Sequence, residues 1–169
     1  MLVFLDVFSG DELGGDAFPL KEDDDIAIEM EGKLIKISTD VDVADDTGAG
    51  QTDEDAADDA GESVTKVNIV HAHELEQTQF TKKSYQVYIK GYTKRLLTYL
   101  KEHNPERAAI FEKKAPAFIK GILANFNDWD FYTGKSMDPD AGLAMLNYRD
   151  DGQTPYVVVL KDSVKQEQY

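Results

Sequence analysis

A chain of 169 residues with 41% hydrophobic content holds enough apolar material for one core, or for one core carrying a sizeable insertion, which excludes wholesale disorder. The net charge of −15 argues against nucleic acid as a direct partner of the bulk molecule, and the absence of cysteine excludes a disulfide framework, a thiol nucleophile and cysteine-bound zinc. No apolar run approaches the roughly 18 residues of a membrane span. Segment 1–6 lacks a basic n-region and meets an aspartate after five residues, so a first strand and a cytoplasmic location are expected rather than a signal peptide.

In chain order, Leu2–Asp6 opens as a strand. Segments 26–31 and Leu34–Ser38 alternate with period two around Gly32 and Lys33, which predicts a hairpin. Segment 40–62 carries ten acids and no lysine or arginine, and the rest of it is mostly Ala, Gly, Thr and Val. Such a stretch repels itself and lacks the apolar surface to offset its ordering entropy, which predicts a flexible acidic loop. Segment 64–70 alternates again and is expected to pair back across that loop.

A helical insertion follows over 81–126. Thr81 is a suitable N-cap. After it Tyr85, Tyr88, Ile89, Tyr92, Leu96, Tyr99 and Leu100 recur at helical spacing until His103 and Asn104. Pro105 and Glu106 restart a helix, with proline at the first position and an acid in the first turn. Phe111, Ala115, Phe118, Ile119, Ile122, Leu123 and Phe126 form its apolar stripe, and Pro116 should kink or break it. Asp130–Thr133, 143–148 and Pro155–Leu160 make a second strand group, with turns at Asp138-Pro139-Asp140 and Asp150-Asp151-Gly152. Residues 157–160 are continuously apolar and should form a central strand. Strands, two helices and strands again, without βαβ alternation, predict an α+β fold. The expectation is a single domain over 1–169, with a mainly antiparallel β core, a projecting amphipathic αα-hairpin and a mobile acidic loop. Any dimer would be non-covalent, and a monomer is expected.

Charge is spread unevenly. Segment 81–120 has ten bases and three acids, ten minus three giving +7, so the remainder carries −22 to reach the total of −15. Lys83, Lys90, Lys94 and Lys101 are spaced 7, 4 and 7 apart. At 100° per residue they lie within about 20° of one line, opposite the tyrosine and leucine stripe. Two readings stand side by side. A helix turns a polar face to water as a matter of course, and lysine is a good helix former. A concentration of bases in so acidic a chain also makes a docking face for acidic surfaces, such as an acidic protein tail or a tubulin-like polymer, and in an intramolecular version of the same reading the acidic loop shields the ridge.

Catalytic patterns are missing. The sequence has no G-x-x-x-x-G-K-[ST], no G-x-G-x-x-G and no G-x-S-x-G, so a binding protein rather than an enzyme is expected. On a strand, His71 and His73 would share one face as a partial metal site, though a surface pair at a strand end is the plainer reading. No EF-hand loop is present, because Asp53-Glu54-Asp55-Ala56-Ala57-Asp58 fails at the glycine. Hard cations need only clustered oxygens, so the acidic loop and Ser9, Asp11 and Glu12 are candidates for weakly bound calcium. Against this, the loop reads as a repulsive tether and Asp11 and Glu12 as a surface turn or a first helical turn. No cofactor is required.

Several stretches carry a family resemblance: 80–90 (Phe80-Thr-Lys-Lys-Ser-Tyr-Gln-Val-Tyr-Ile-Lys90), Pro105-Glu106-Arg107, 122–126 (Ile-Leu-Ala-Asn-Phe), 137–140 (Met-Asp-Pro-Asp) and 148–156 (Tyr-Arg-Asp-Asp-Gly-Gln-Thr-Pro-Tyr). Asp6, Ser9, Asp11, Glu12 and the turn 29–33 fit as well. Over nearly its whole length the chain resembles the translationally controlled tumour protein family, also called fortilin or histamine-releasing factor. The resemblance implies a tent-like β core similar to guanine-nucleotide-release chaperones of Rab GTPases. It also implies low-affinity calcium binding, association with tubulin and microtubules through the helical hairpin, and roles in growth and survival. A further implied role is stimulation of nucleotide exchange on a Rheb-type small GTPase, with Glu12 as the matching contact. Two departures stand out. The glycine-rich signature of the acidic loop is reduced to Thr47-Gly48-Ala49-Gly50, and the family's usual Gly-Glu pair is Gly134-Lys135 here. The family's polo-kinase sites lie in the loop, where Ser63 is the one serine, and they are not carried over.

Overall fold

The computed structural model describes residues 1–38 and 63–169, so the acidic loop expected at 40–62 lies outside the described residues. In chain order the elements are β1 (Leu2–Asp6), β2 (Glu12–Gly15), β3 (Leu20–Asp23), β4 (Ala27–Glu31), β5 (Leu34–Ser38), β6 (Ser63–Val67), α1 (Asn68–Ala72) and β7 (Glu76–Thr78). They continue with α2 (Lys82–His103), α3 (Pro105–Ala124), β8 (Asp130–Thr133), β9 (Ala144–Tyr148), β10 (Pro155–Leu160) and β11 (Val164–Gln168). The strands form a three-stranded sheet in the order β11-β1-β2, a six-stranded sheet in the order β3-β4-β10-β9-β8-β7, and a ribbon of β5 with β6. Every pairing among the described residues is antiparallel. The expected α+β class with an antiparallel core is what the chain adopts.

β10 sits between β4 and β9. Val157 and Val159 point into one core with Phe4, Leu13, Met30 and Ile69. Val158 and Leu160 point into the other, beneath the helical hairpin, with Tyr85, Ile89, Leu96, Phe111 and Met145. Burial on both faces explains why this strand is a continuous apolar run rather than an alternating one.

The hairpin expected about Gly32 and Lys33 does not form. β4 pairs with β3 and β10, whereas β5 pairs with β6 in register from Leu34↔Val67 to Ser38↔Ser63. Between β4 and β5 the chain leaves the large sheet under α1. A Cβ on Gly32 would stand 2.8 Å from Asn68 Oδ1 and 3.2 Å from Ile69 Cδ1, and Asn68 Oδ1 accepts from the Lys33 amide at 2.9 Å. Glycine is required there by close approach, not by a two-residue turn. Segment 64–70 does pair back across the loop, but its strand ends at Val67. Residues from Asn68 onward turn helical, which buries Ile69 and Val70. Three residues of alternation are too few to separate the two periods.

α2 begins as expected. Thr81 Oγ1 accepts from the Ser84 amide at 3.0 Å, and Ser84 Oγ accepts from the Thr81 amide at 2.8 Å, a reciprocal cap. Its buried face is Tyr85, Ile89, Tyr92, Leu96 and Leu100. α3 starts at Pro105 and runs to Ala124, so of the kink or break expected at Pro116 the break does not occur. Pro116 lies on the exposed side, where its missing amide costs no contact with the core, while Phe111, Ala115 and Ile122 hold the opposite side to the core. Next to the turn between the helices, Arg107 grips Asp162 through Nε at 2.7 Å and Nη2 at 2.8 Å, and Asp25 through Nη1 at 2.9 Å. The hairpin is thereby tied to the sheet at its turn as well as along its tyrosine face. No helix among the described residues is long and apolar enough to cross a membrane.

Candidate functional site

Two surfaces hold the residues singled out by sequence. The first is the outer face of α2. Lys83, Lys90, Lys94 and Lys101 are all exposed, and the tyrosine and leucine stripe opposite them is buried. Among the described residues none of the four has a carboxylate within 4.0 Å. Other bases on the hairpin are used differently. Lys114 reaches Asp24 at 3.3 Å, and Arg107 is committed to its two carboxylates.

The second surface is the turn between β1 and β2. Asp6, 1% exposed, anchors it. Its Oδ1 accepts from the Phe8 amide at 3.1 Å, and its Oδ2 accepts from Ser9 Oγ and from the Gly142 amide, each at 2.9 Å. Three donors compensate the cost of burying this carboxylate. Ser9 Oγ in turn accepts from the Asp11 amide at 3.1 Å. The three residues proposed for calcium thus share one turn, but each has a different partner. Ser9 serves Asp6, Asp11 Oδ2 accepts from the Ser136 amide at 3.1 Å and from the Ser136 hydroxyl, and Glu12 Oε1 meets His73 Nδ1 at 2.8 Å. Among the described residues no group of three or more His, Asp or Glu side chains is placed to hold a metal ion.

Gly134 runs flush against this turn, since a Cβ there would stand 2.3 Å from Asp11 Cβ. Lys135, where the family's glutamate was expected, turns to Glu74 at 3.3 Å. His71 and His73 do not share a strand face. His71 is exposed in α1, and His73 caps that helix with its side chain 9% exposed, edge-on to Phe18 and bonded to Glu12. The two imidazoles therefore cannot act as a strand-borne metal pair.

Sequence reasoning missed the roles of Arg107, Asp6 and the pair of Glu12 with His73. Arg107 falls within a quoted motif, but nothing local indicates that its partners lie 55 and 82 positions away. Glu12 and His73 are separated by 61 positions and carry no local signal.

With this geometry established, comparison with known proteins is direct. The family model described as translationally controlled tumour protein matches residues 1–165. A translationally controlled tumour protein homologue of Schizosaccharomyces pombe is 49% identical over 170 residues, covering 100% of both chains. The homologue of Yarrowia lipolytica is 46% identical over 169 residues, covering 99% of each. The solved structure of the translationally controlled tumour-associated protein from S. pombe superposes with a TM-score of 0.83 at 49% identity over 100% of both chains. The solution structure of the Caenorhabditis elegans protein does so with a TM-score of 0.72 at 25% identity, over 100% of this chain and 99% of that one. The chain belongs to the translationally controlled tumour protein family.

Proposed function

We propose that this chain is a non-enzymatic, cytoplasmic interaction protein whose lysine ridge on α2 docks acidic partners, with tubulin and microtubules as the partner class and weak calcium binding as a companion property. The observation that carries the reading is the set of four exposed lysines on one line of α2, without carboxylate partners among the described residues, in a chain of net charge −15. A cationic ridge on an otherwise anionic molecule gives orientation as well as attraction, because the body repels an acidic surface that approaches from any other side. Membership of the family supports the same class of protein. The test is microtubule co-sedimentation of the variant with Lys83, Lys90, Lys94 and Lys101 all changed to Glu. Loss of the pelleted fraction is expected, and unchanged pelleting would remove the ridge from the mechanism.

A second reading is favoured by Glu12. Its side chain is 44% exposed, and it is held in one orientation by His73. A fixed, accessible carboxylate on a sheet-edge turn suits contact with a Rheb-type small GTPase. Acceleration of nucleotide release that Glu12→Val abolishes, with the fold retained, is the expected result. No acceleration at micromolar concentrations of the unaltered protein would exclude it.

A further inference from the structure

Beside the lysine ridge, α2 and the loop carrying Asp140 border an open cleft of about 530 Å³, lined by Val87, Tyr88, Gly91, Tyr92, Arg95 and Asp140. The loop is fastened to the helix by two bonds. The Tyr88 hydroxyl donates to the Ala141 carbonyl, and Arg95 Nη1 donates to the Asp140 carbonyl at 2.6 Å. At 100° per residue, Val87, Gly91 and Arg95 form one strip running between the lysines and the buried tyrosines.

Three features of this strip leave it open to a ligand. Gly91 sits in the middle of a 22-residue helix, where glycine is unfavourable relative to alanine, yet a Cβ placed on it meets no atom within 4 Å. Val87, one turn before it, is 69% exposed. Arg95, one turn after it, lies 3.9 Å above the Phe8 ring and has no carboxylate within 4.0 Å among the described residues. A bare stretch of helix, an exposed aliphatic side chain and a held guanidinium without a carboxylate partner among the described residues stand in line along one groove.

We propose that this cleft is the anchoring subsite of the docking face, taking one apolar side chain of an acidic peptide over the backbone of Gly91, with a neighbouring carboxylate of the peptide on the Arg95 guanidinium. The inference rests on the docking reading above and adds a specificity that a ridge of lysines alone does not have. Charge complementarity selects the occupant. Lys90 and Lys94 flank the strip on its outer side, so an acidic segment is drawn to it. Asp140 on the far rim repels a second carboxylate, which leaves the centre of the cleft to an apolar residue. Phe8 stacked beneath Arg95 restrains its guanidinium, so that less side-chain freedom is lost on binding. Gly91 lets the incoming side chain reach the helix backbone.

The test uses the full chain and two synthetic glutamate-rich peptides of equal length and charge, one with a central leucine and one with glycine at that place. The unaltered protein is expected to bind the leucine peptide about tenfold more tightly, the effect of burying one such side chain. Gly91→Leu covers the helix backbone at the point where the peptide's leucine is expected to sit, without changing charge, and should erase that preference while leaving the glycine peptide's affinity unchanged. Because a Cβ at 91 meets no atom, Gly91→Ala should melt no lower than the unaltered protein, and a Gly91→Leu melting temperature matching that of Gly91→Ala separates a blocked cleft from a damaged fold. Equal affinity for both peptides, still lost on reversing the four ridge lysines, would overturn the cleft and leave the ridge standing. Binding of neither peptide would overturn the docking reading and the cleft with it. A concentration-dependent dimer that Gly91→Leu dissolves would assign the cleft to a second copy of the chain and overturn the peptide as occupant.

Discussion

Arg107, in the first turn of α3, donates to both oxygens of Asp162 and to the carboxylate and carbonyl of Asp25. Asp162 is only 8% exposed, and the guanidinium of Arg107 is the cation that meets it. Arg107→Ala would leave a buried carboxylate without its cation, and a loss of about 3–5 kcal/mol of stability is expected, read from denaturant midpoints. Asp25 is the more exposed end of the network. Hydrogen bonds from Lys161 and then from Arg107 hold its carboxyl below its ordinary value of 3.8. A carboxyl that titrates lower in the folded chain contributes stability that is fully present above its unfolded value. That contribution disappears as pH falls through the folded value, below about pH 4. An NMR titration of the Asp25 carboxyl should therefore place its midpoint below 3.8 in the unaltered protein and nearer to it in Lys161→Ala. A midpoint unmoved by Lys161→Ala would remove that lysine as the leading cause. Asp24 and Asp25 both have positive φ, 51° and 60°, an unfavourable conformation for residues other than glycine. Lys114 grips the first, while Arg107 and Lys161 grip the second.

At the scale of elements, legibility followed length and burial. α2 and α3 were readable because 22 and 20 residues give several turns of apolar recurrence, with a cap at Thr81 and a proline at 105 to mark their starts. β10 was readable as an unbroken apolar run. β3, with the sequence Leu-Lys-Glu-Asp and every residue exposed, offers no alternation to detect. β11 is mostly polar and exposed after Val164, and β7 has only three residues. β2 contains Gly14 and Gly15, which are poor strand formers by propensity. Gly15 is nonetheless required, because a Cβ on it would stand 2.7 Å from the Leu2 carbonyl oxygen. The false hairpin at 26–38 has a different cause. Both of its strands exist, with β4 shortened to Ala27–Glu31, but alternation records a half-buried strand and says nothing about its partner, and the tertiary crossing at Gly32 separated them. Of the candidate site, the lysine ridge was readable because helical spacing alone sets its line. The partnerships of Asp11 and Glu12 were not, since they reach Ser136 and His73 across the chain.

At the scale of the whole molecule, the division of charge gives two opposite responses to salt. The chain outside 81–120 carries −22, and the hairpin segment carries +7. Self-repulsion of the net −15 destabilises the compact state, and added salt screens it. Raising sodium chloride from about 50 to about 500 mM, which shortens the Debye length to several ångströms, should therefore raise the melting temperature. The same screening weakens an exposed cationic ridge for an acidic partner, so co-sedimentation with microtubules should fall over the same range. Opposite signs from one titration distinguish docking through the ridge from association driven by apolar burial, which salt does not screen and strongly excluded salts strengthen. The variant with the four ridge lysines changed to Glu sharpens the comparison. Its net charge falls by eight to −23, so its melting temperature should rise more steeply with salt than that of the unaltered chain, while its pelleted fraction should already be low at about 50 mM and stay low. If the variant instead pellets as the unaltered chain does at every salt concentration, partner binding lies elsewhere on the molecule, and the turn presenting Glu12 becomes the surface to map.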